Sequence, residues 1–89
     1  MVLIITFAHN SPAKDYTSFF EAIKSNANEW WHFMESTWIV TTHHSANEFA
    51  RLLYPHILNT DYLLVARLSN EYQGWLPKDA WDWLNSKLY

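Results

Sequence analysis

The stretch Glu29-Trp30-Trp31-His32-Phe33-Met34-Glu35-Ser36-Thr37-Trp38-Ile39-Val40 decides the fold of this chain. It is interrupted by polar residues chiefly at Glu35-Ser36, which separate two runs rich in aromatic and β-branched side chains. Two such runs with a short polar break between them are typical of a β-hairpin. Because strand residues alternate between the two faces of a sheet, the pattern also predicts apolar side chains on both faces.

Upstream of this hairpin, the sequence predicts one strand and one helix. Val2 to Phe7 is an unbroken β-branched and aromatic run, which is typical of a strand covered on both faces. Asp15 is a candidate cap for a helix that ends near residues 26–28. The apolar stripe of this helix recurs at i, i+3, i+4 and i+7, and its members are Tyr16, Phe19, Phe20 and Ile23.

Downstream, the sequence predicts helix, strand and helix. Ser45 and Glu48 form a capping box that starts a second helix at Ala46, and Pro55 ends or kinks it. Asp61 to Leu68 reads as a fourth strand, and Pro77 opens a final helix. The expected buried stripes are Phe49, Leu52 and Leu53 in the second helix and Trp81, Leu84 and Leu88 in the last, with Trp75 and Trp83 also packed there.

The order strand, helix, strand, strand, helix, strand predicts an α+β fold of the ferredoxin-like type. We expect one domain spanning residues 1–89, with an antiparallel four-stranded sheet and an extra C-terminal helix. The first two helices would cover one face of the sheet. Since the other face is also apolar, and large exposed apolar patches mark interfaces, we predict a homodimer.

Composition narrows the classes of function. The chain has no cysteine and no apolar run of about 20 residues, so we expect a cytoplasmic protein that does not enter a membrane. Its net charge of −3 disfavours an extended nucleic acid as the partner, because tracking phosphates requires clustered Lys and Arg. One glycine cannot build a glycine-rich phosphate loop, and we expect no cofactor.

Several segments together resemble the small SinR-like proteins, which belong to a wider group related to the CRISPR-associated protein Cas-two. The resemblance covers most of the chain, and its most specific parts are Trp30-Trp31-His32 and Ser36-Thr37-Trp38. The other matching segments are Leu3 to Pro12, Asp15-Tyr16, Phe20 to Lys24, Glu35 to Val40 and Leu63-Leu64-Val65.

The resemblance implies a dimerising ferredoxin-like domain and a setting in phage defence or counter-defence. In the nuclease-type members of the group, an aromatic residue and an aspartate end the first strand, and the aspartates of a dimer face each other across a metal. This chain has Phe7-Ala8 at that place. Alanine cannot bind a metal, so the resemblance does not carry nuclease activity to this chain by that route.

Our leading hypothesis is a non-catalytic homodimeric binding or adaptor module for a protein partner or a short nucleotide or oligonucleotide. The candidate binding residues are His9, Asn10, Trp30, Trp31, His32 and Trp38, of which the tryptophans are more commonly core or interface residues. One alternative is a metal-dependent nuclease or phosphodiesterase that uses His9 with Glu35 or Asp61, which we expect at the same end of the sheet. Another is a general nucleic-acid binder of the Cas-two type.

Overall fold

The computed structural model describes all residues from Met1 to Tyr89 and contains one sheet with a hydrophobic core on each face. The strands are β1 (Val2–Ala8), β2 (Glu29–Met34), β3 (Thr37–Thr41) and β4 (Tyr62–Arg67), and the helices are α1 (Thr17–Asn26), α2 (Ala46–Leu53) and α3 (Lys78–Asn85). A short 3-10 turn, Tyr54–His56, follows α2 at the proline. The structure is therefore a small α+β domain with four strands and three helices.

All neighbouring strands are antiparallel, in the order β2-β3-β1-β4. β1 is central, as its unbroken apolar sequence predicts, and β2 and β4 are the two edges. The pairing of β2 with β3 is irregular between Trp31 and Met34, where the register shifts. The predicted hairpin at Glu35-Ser36 is confirmed, because these two residues form the turn between β2 and β3.

The first core lies between the sheet and the helices α1 and α2. It contains Phe19 and Ile23 from α1 and Phe49 and Leu53 from α2, packed on alternate residues of β1 and β3 that include Leu3, Ile5, Trp38 and Val40. The predicted capping box holds the start of α2, where Ser45 Oγ accepts from the Glu48 amide (3.1 Å) and Glu48 Oε1 accepts from the Ser45 amide (2.9 Å). Asp15 accepts from the Thr17 amide at the start of α1 (2.9 Å).

The second core lies on the opposite face, beneath α3. Ala80 and Leu84 of α3 pack against Val2, Trp31 and Ile39, and Leu68, Tyr72 and Leu76 close the cluster from the segment that leads into the helix. This core covers much of the apolar surface that we expected a second copy of the chain to cover. None of the three helices is long and apolar enough to cross a lipid bilayer.

Three side chains lie in places that the sequence did not predict. Leu52 is exposed, so the buried stripe of α2 consists of Phe49 and Leu53. Leu88 is 92% exposed because α3 ends at Asn85, and Tyr89 instead folds back so that its hydroxyl donates to the carbonyl of Leu84 (2.7 Å). Trp75 is 99% exposed rather than packed, since it belongs to the irregular segment before α3.

Candidate interaction surface

The predicted binding residues do not converge on one site. Trp31 is only 2% exposed, in the second core, and Trp38 is also 2% exposed, in the first core on the opposite face. Neither indole ring is accessible to a ligand in this structure. Their burial makes both residues packing groups, and the indole nitrogen of each has no hydrogen-bond partner.

Trp30 and His32 lie together on the α1 side of the edge strand β2. His32 stacks on Trp38 (ring centroids 4.1 Å apart), and its Nε2 donates to the Glu35 carbonyl (3.0 Å). Trp30 contacts Trp38 (5.1 Å), and the Lys24 ammonium lies 5.1 Å from the centroid of the Trp30 ring. The structure thus brings Trp30, His32 and Trp38 together and separates them from Trp31 by the thickness of the sheet.

His9 and Asn10 lie at the end of β1, where they belong to a network centred on Asp61. Asp61 Oδ1 accepts from the Asn10 amide (2.8 Å), its Oδ2 accepts from the Leu58 amide (2.9 Å), and both oxygens lie within reach of the Tyr16 hydroxyl (2.8 and 2.9 Å). The Asn10 side chain donates to the Thr60 carbonyl (2.7 Å). This network ties the end of β1 to the start of α1 and to the loop before β4.

The ring of His9 is enclosed by aromatic side chains. It stacks on Tyr16 (3.6 Å, interplanar angle 4°) and on Phe7 (4.5 Å), and its buried Nε2 has no partner. Burial lowers the pKa of His9, and the nearby charge of Lys14 acts in the same direction, while the Asp61 carboxylate opposes both. His9 is therefore a neutral packing residue near pH 7.

Asp61 is equally committed to structure. Burial by itself would raise the pKa of Asp61, but hydrogen bonds from the Asn10 and Leu58 amides and the Tyr16 hydroxyl outweigh burial and lower it. The carboxylate is ionised and its oxygens are occupied by donors from the chain. No group of three or more His, Cys, Asp or Glu side chains is arranged to hold a metal ion. His9 and Glu35 line a common cavity of about 420 Å³, but Asp61 is not among its lining residues.

The exposed apolar surface lies elsewhere, on the α3 face of the sheet beyond the end of α3. The register places Met34 opposite Thr37, Thr37 opposite Thr6, and Thr6 opposite Leu64, so these four side chains form one row across the sheet. Ala8 and Tyr62 form the next pair along β1 and β4. We call these six residues, with Phe33 beside Trp31, the open strip.

The open strip lies on the part of the sheet that α3 does not cover. Eight helical residues span about 12 Å, whereas the seven residues of β1 span about 23 Å. The helix covers the half of the face that contains Val2, Trp31 and Ile39. On the other half, Tyr62 is 72% and Leu64 is 63% exposed, and Phe33 and Met34 are also exposed.

The sequence of β4 carries a signal for the open strip. Strand alternation places Tyr62 and Leu64 on one face and Leu63 and Val65 on the other, as the structure has them. Which part of that face stays uncovered depends on the length and the docking position of α3, and neither is encoded locally in β4.

The fold and this surface define a small α+β domain in which two cores share one sheet and an apolar strip remains at the sheet end and at the edge strand β4. Comparisons with protein families, characterised proteins and solved structures find no significant match to this chain.

Proposed function

We propose that this chain is a non-catalytic, homodimeric binding or adaptor module with a ferredoxin-like fold. The observation that carries the proposal is the open strip, because exposed apolar side chains clustered on a small domain are typical of an interaction surface. The order β2-β3-β1-β4, with two helices on one face, supports the fold assignment. The resemblance to small SinR-like proteins supports the same assignment and a role in phage defence or counter-defence in the cytoplasm.

The edge strand β4 is the part of the strip that suits a second copy of the chain. Its outer backbone groups have no strand partner, and a shallow groove of about 280 Å³ runs along it, lined by Thr6, Phe7, Ala8, Tyr62, Leu63 and Leu64. Antiparallel pairing of two copies of β4 about Leu64 brings the two Leu64 side chains together and places Tyr62 opposite the partner's Ala66. The most exposed apolar side chains of β4 would then cover each other.

A dimer of this kind leaves other surfaces free for a protein partner or a short nucleotide ligand. An extended nucleic acid is less well suited, because three of the four lysines already form ion pairs with acidic side chains: Lys24 with Glu21, Lys78 with Asp82 and Lys87 with Glu29. The remaining basic side chains are too few to follow a phosphate backbone.

The oligomeric state tests this proposal directly. Native mass spectrometry and light scattering should give twice the 10.6 kDa mass of one chain for the natural protein. Leu64→Arg should give a monomer, because it places two like charges on the symmetry axis of the interface.

Leu88→Arg is the matched control, since Leu88 is another exposed leucine and lies at the opposite end of the sheet. It should remain dimeric. A natural protein that is monomeric at about 100 μM, or a Leu64→Arg variant that dimerises as well as Leu88→Arg, would contradict the proposal.

A further inference from the structure

The largest cavity of the molecule has no part in the open strip and was not anticipated from the sequence. It has a volume of about 550 Å³ and lies where the end of β4 and the following loop meet the end of α3 and the last residues. Its lining residues are Arg67, Ser69, Asn70, Tyr72, Asn85, Lys87, Leu88 and Tyr89. A volume of this size is within the range of small-molecule sites, which is about 300–1,000 Å³.

The cavity is lined by cations and neutral polar groups, with no aspartate or glutamate. Lys87 is largely balanced, because its Nζ pairs with Glu29 (2.8 Å) and lies 4.6 Å from the centroid of the Trp83 ring. Arg67 takes part in none of the three ion pairs of the chain. In a protein with a net charge of −3, the side chains that line this cavity therefore include an arginine outside these ion pairs and no aspartate or glutamate.

Arg67 lines the cavity as the last residue of the edge strand β4. It pairs with Leu3 of the first core, so its Cβ lies on that face, and the open outer edge of the sheet lets the long side chain turn toward the cavity. Its side chain is exposed and long. A guanidinium group offers five N–H donors in a planar fork that matches the oxygens of a phosphate or carboxylate.

The opposite wall is aromatic and is held in place by hydrogen bonds. The Tyr72 hydroxyl donates to Asn85 Oδ1 (2.8 Å), and the Tyr89 hydroxyl donates to the Leu84 carbonyl (2.7 Å). The two tyrosine rings lie 5.6 Å apart. Because the Asn85 oxygen is used internally, its NH₂ group remains a donor, as does that of Asn70. Burial, followed by the neighbouring Tyr72 hydroxyl, raises the pKa of Tyr89, so its phenol group stays uncharged near neutral pH.

We propose that this cavity binds a small organic anion with a single phosphate group and a planar ring, which is the chemistry of a nucleoside monophosphate. Arg67 would bind the phosphate, the tyrosine wall would contact the ring, and the amides of Asn70 and Asn85 would donate to its polar edge. One cation outside the ion pairs matches one phosphate group and provides no charge for a triphosphate. The inference specifies the nucleotide ligand of the proposed function, but it does not require the dimer.

Calorimetry with AMP, adenosine and inorganic phosphate tests the site. AMP should bind more tightly than either of the others, because only AMP presents both a phosphate and a ring. Arg67→Gln should weaken AMP binding by about tenfold or more, since it removes a charge-assisted bidentate contact. Arg51→Gln is the matched control, because Arg51 is the only other arginine and lies on α2, outside the cavity.

Three results would overturn the inference: no binding of AMP at about 1 mM, adenosine or inorganic phosphate binding as tightly as AMP, or equal losses in the two arginine variants. The outcome is separable from that of the dimer. Leu64→Arg should be monomeric and still bind AMP, whereas Arg67→Gln should be dimeric and bind it poorly.

Discussion

His9 stands out at the scale of single residues because a titratable side chain is stacked among aromatic rings. Tyr16 lies 3.6 Å from its ring and Phe7 lies 4.5 Å from it, and its buried Nε2 finds no acceptor or donor. Protonation would place a positive charge in this cluster, although Asp61 would partly compensate for it. The arrangement favours the neutral imidazole and argues for a structural role.

The lowered pKa of His9 makes stability depend on pH in a defined direction. In the unfolded chain, His9 takes up a proton near the ordinary histidine pKa of 6.5, whereas in the folded protein its pKa is lower. The unfolded state thus binds more protons in this window, so the free energy of unfolding should fall as the pH is lowered from about 7.5 to about 5.5. Urea unfolding at several pH values measures this.

His9→Phe should flatten this pH dependence, because phenylalanine keeps an aromatic ring between Phe7 and Tyr16 without a titrating group. His43→Gln, which changes an exposed histidine, serves as the control. An equal pH slope in the natural protein and in His9→Phe would show that His9 is not the group responsible.

Asp61 supports a second prediction at this scale. Its carboxylate joins three segments of the chain by accepting from Asn10, Leu58 and Tyr16. Asp61→Ala should lower the midpoint of thermal unfolding clearly more than Asp15→Ala, which removes an exposed carboxylate that accepts only from Thr17. Differential scanning fluorimetry of the two variants compares them, and equal midpoints would refute the structural role of Asp61.

At the scale of elements, α2 begins at a complete capping box. Glu48 accepts a hydrogen bond from the Ser45 amide. This bond is the main reason why the pKa of Glu48 is lowered, and the Ser45 side chain contributes in the same direction. Ser45→Ala should destabilise the protein by about 1 kcal/mol, because it leaves the Glu48 amide without its acceptor. Chemical denaturation measures the loss, with Ser18→Ala on the exposed side of α1 expected to change stability by less than about 0.5 kcal/mol.

The elements also show how far sequence reasoning reaches. The hairpin, the stripe of α1 and the capping box are encoded by residues close together in the chain, so their patterns predicted them. The sequence did not predict that Trp31 and Trp38 are both buried within the chain, because alternation assigns them to opposite faces without saying what covers each face. Leu88 was misplaced because helical periodicity says nothing about α3 ending at Asn85. The cavity beside Arg67 is lined by residues from two separate segments, 67–72 and 85–89, so no local sequence pattern predicts it.

At the scale of the whole molecule, the sheet divides the interior into two separate cores that share its strands. Ile23 packs in the first core with Ile5, and Ile39 packs in the second core with Val2, Trp31 and Leu84. Removing one methylene group from a buried isoleucine generally costs about 0.5–1.5 kcal/mol. Whether two such losses add depends on whether the two sites share partners.

We therefore expect Ile23→Val and Ile39→Val to be additive within about 0.5 kcal/mol in the double variant, because each leaves a defect on its own side of the sheet. Ile23→Val combined with Ile5→Val provides the contrast, since both residues belong to the first core and their defects merge or relax together. Urea unfolding of the natural protein, the three single variants and the two double variants would measure both coupling energies. A coupling between Ile23 and Ile39 as large as that between Ile23 and Ile5 would mean that the two faces behave as one core, and α3 would then be as integral to the domain as α1 and α2.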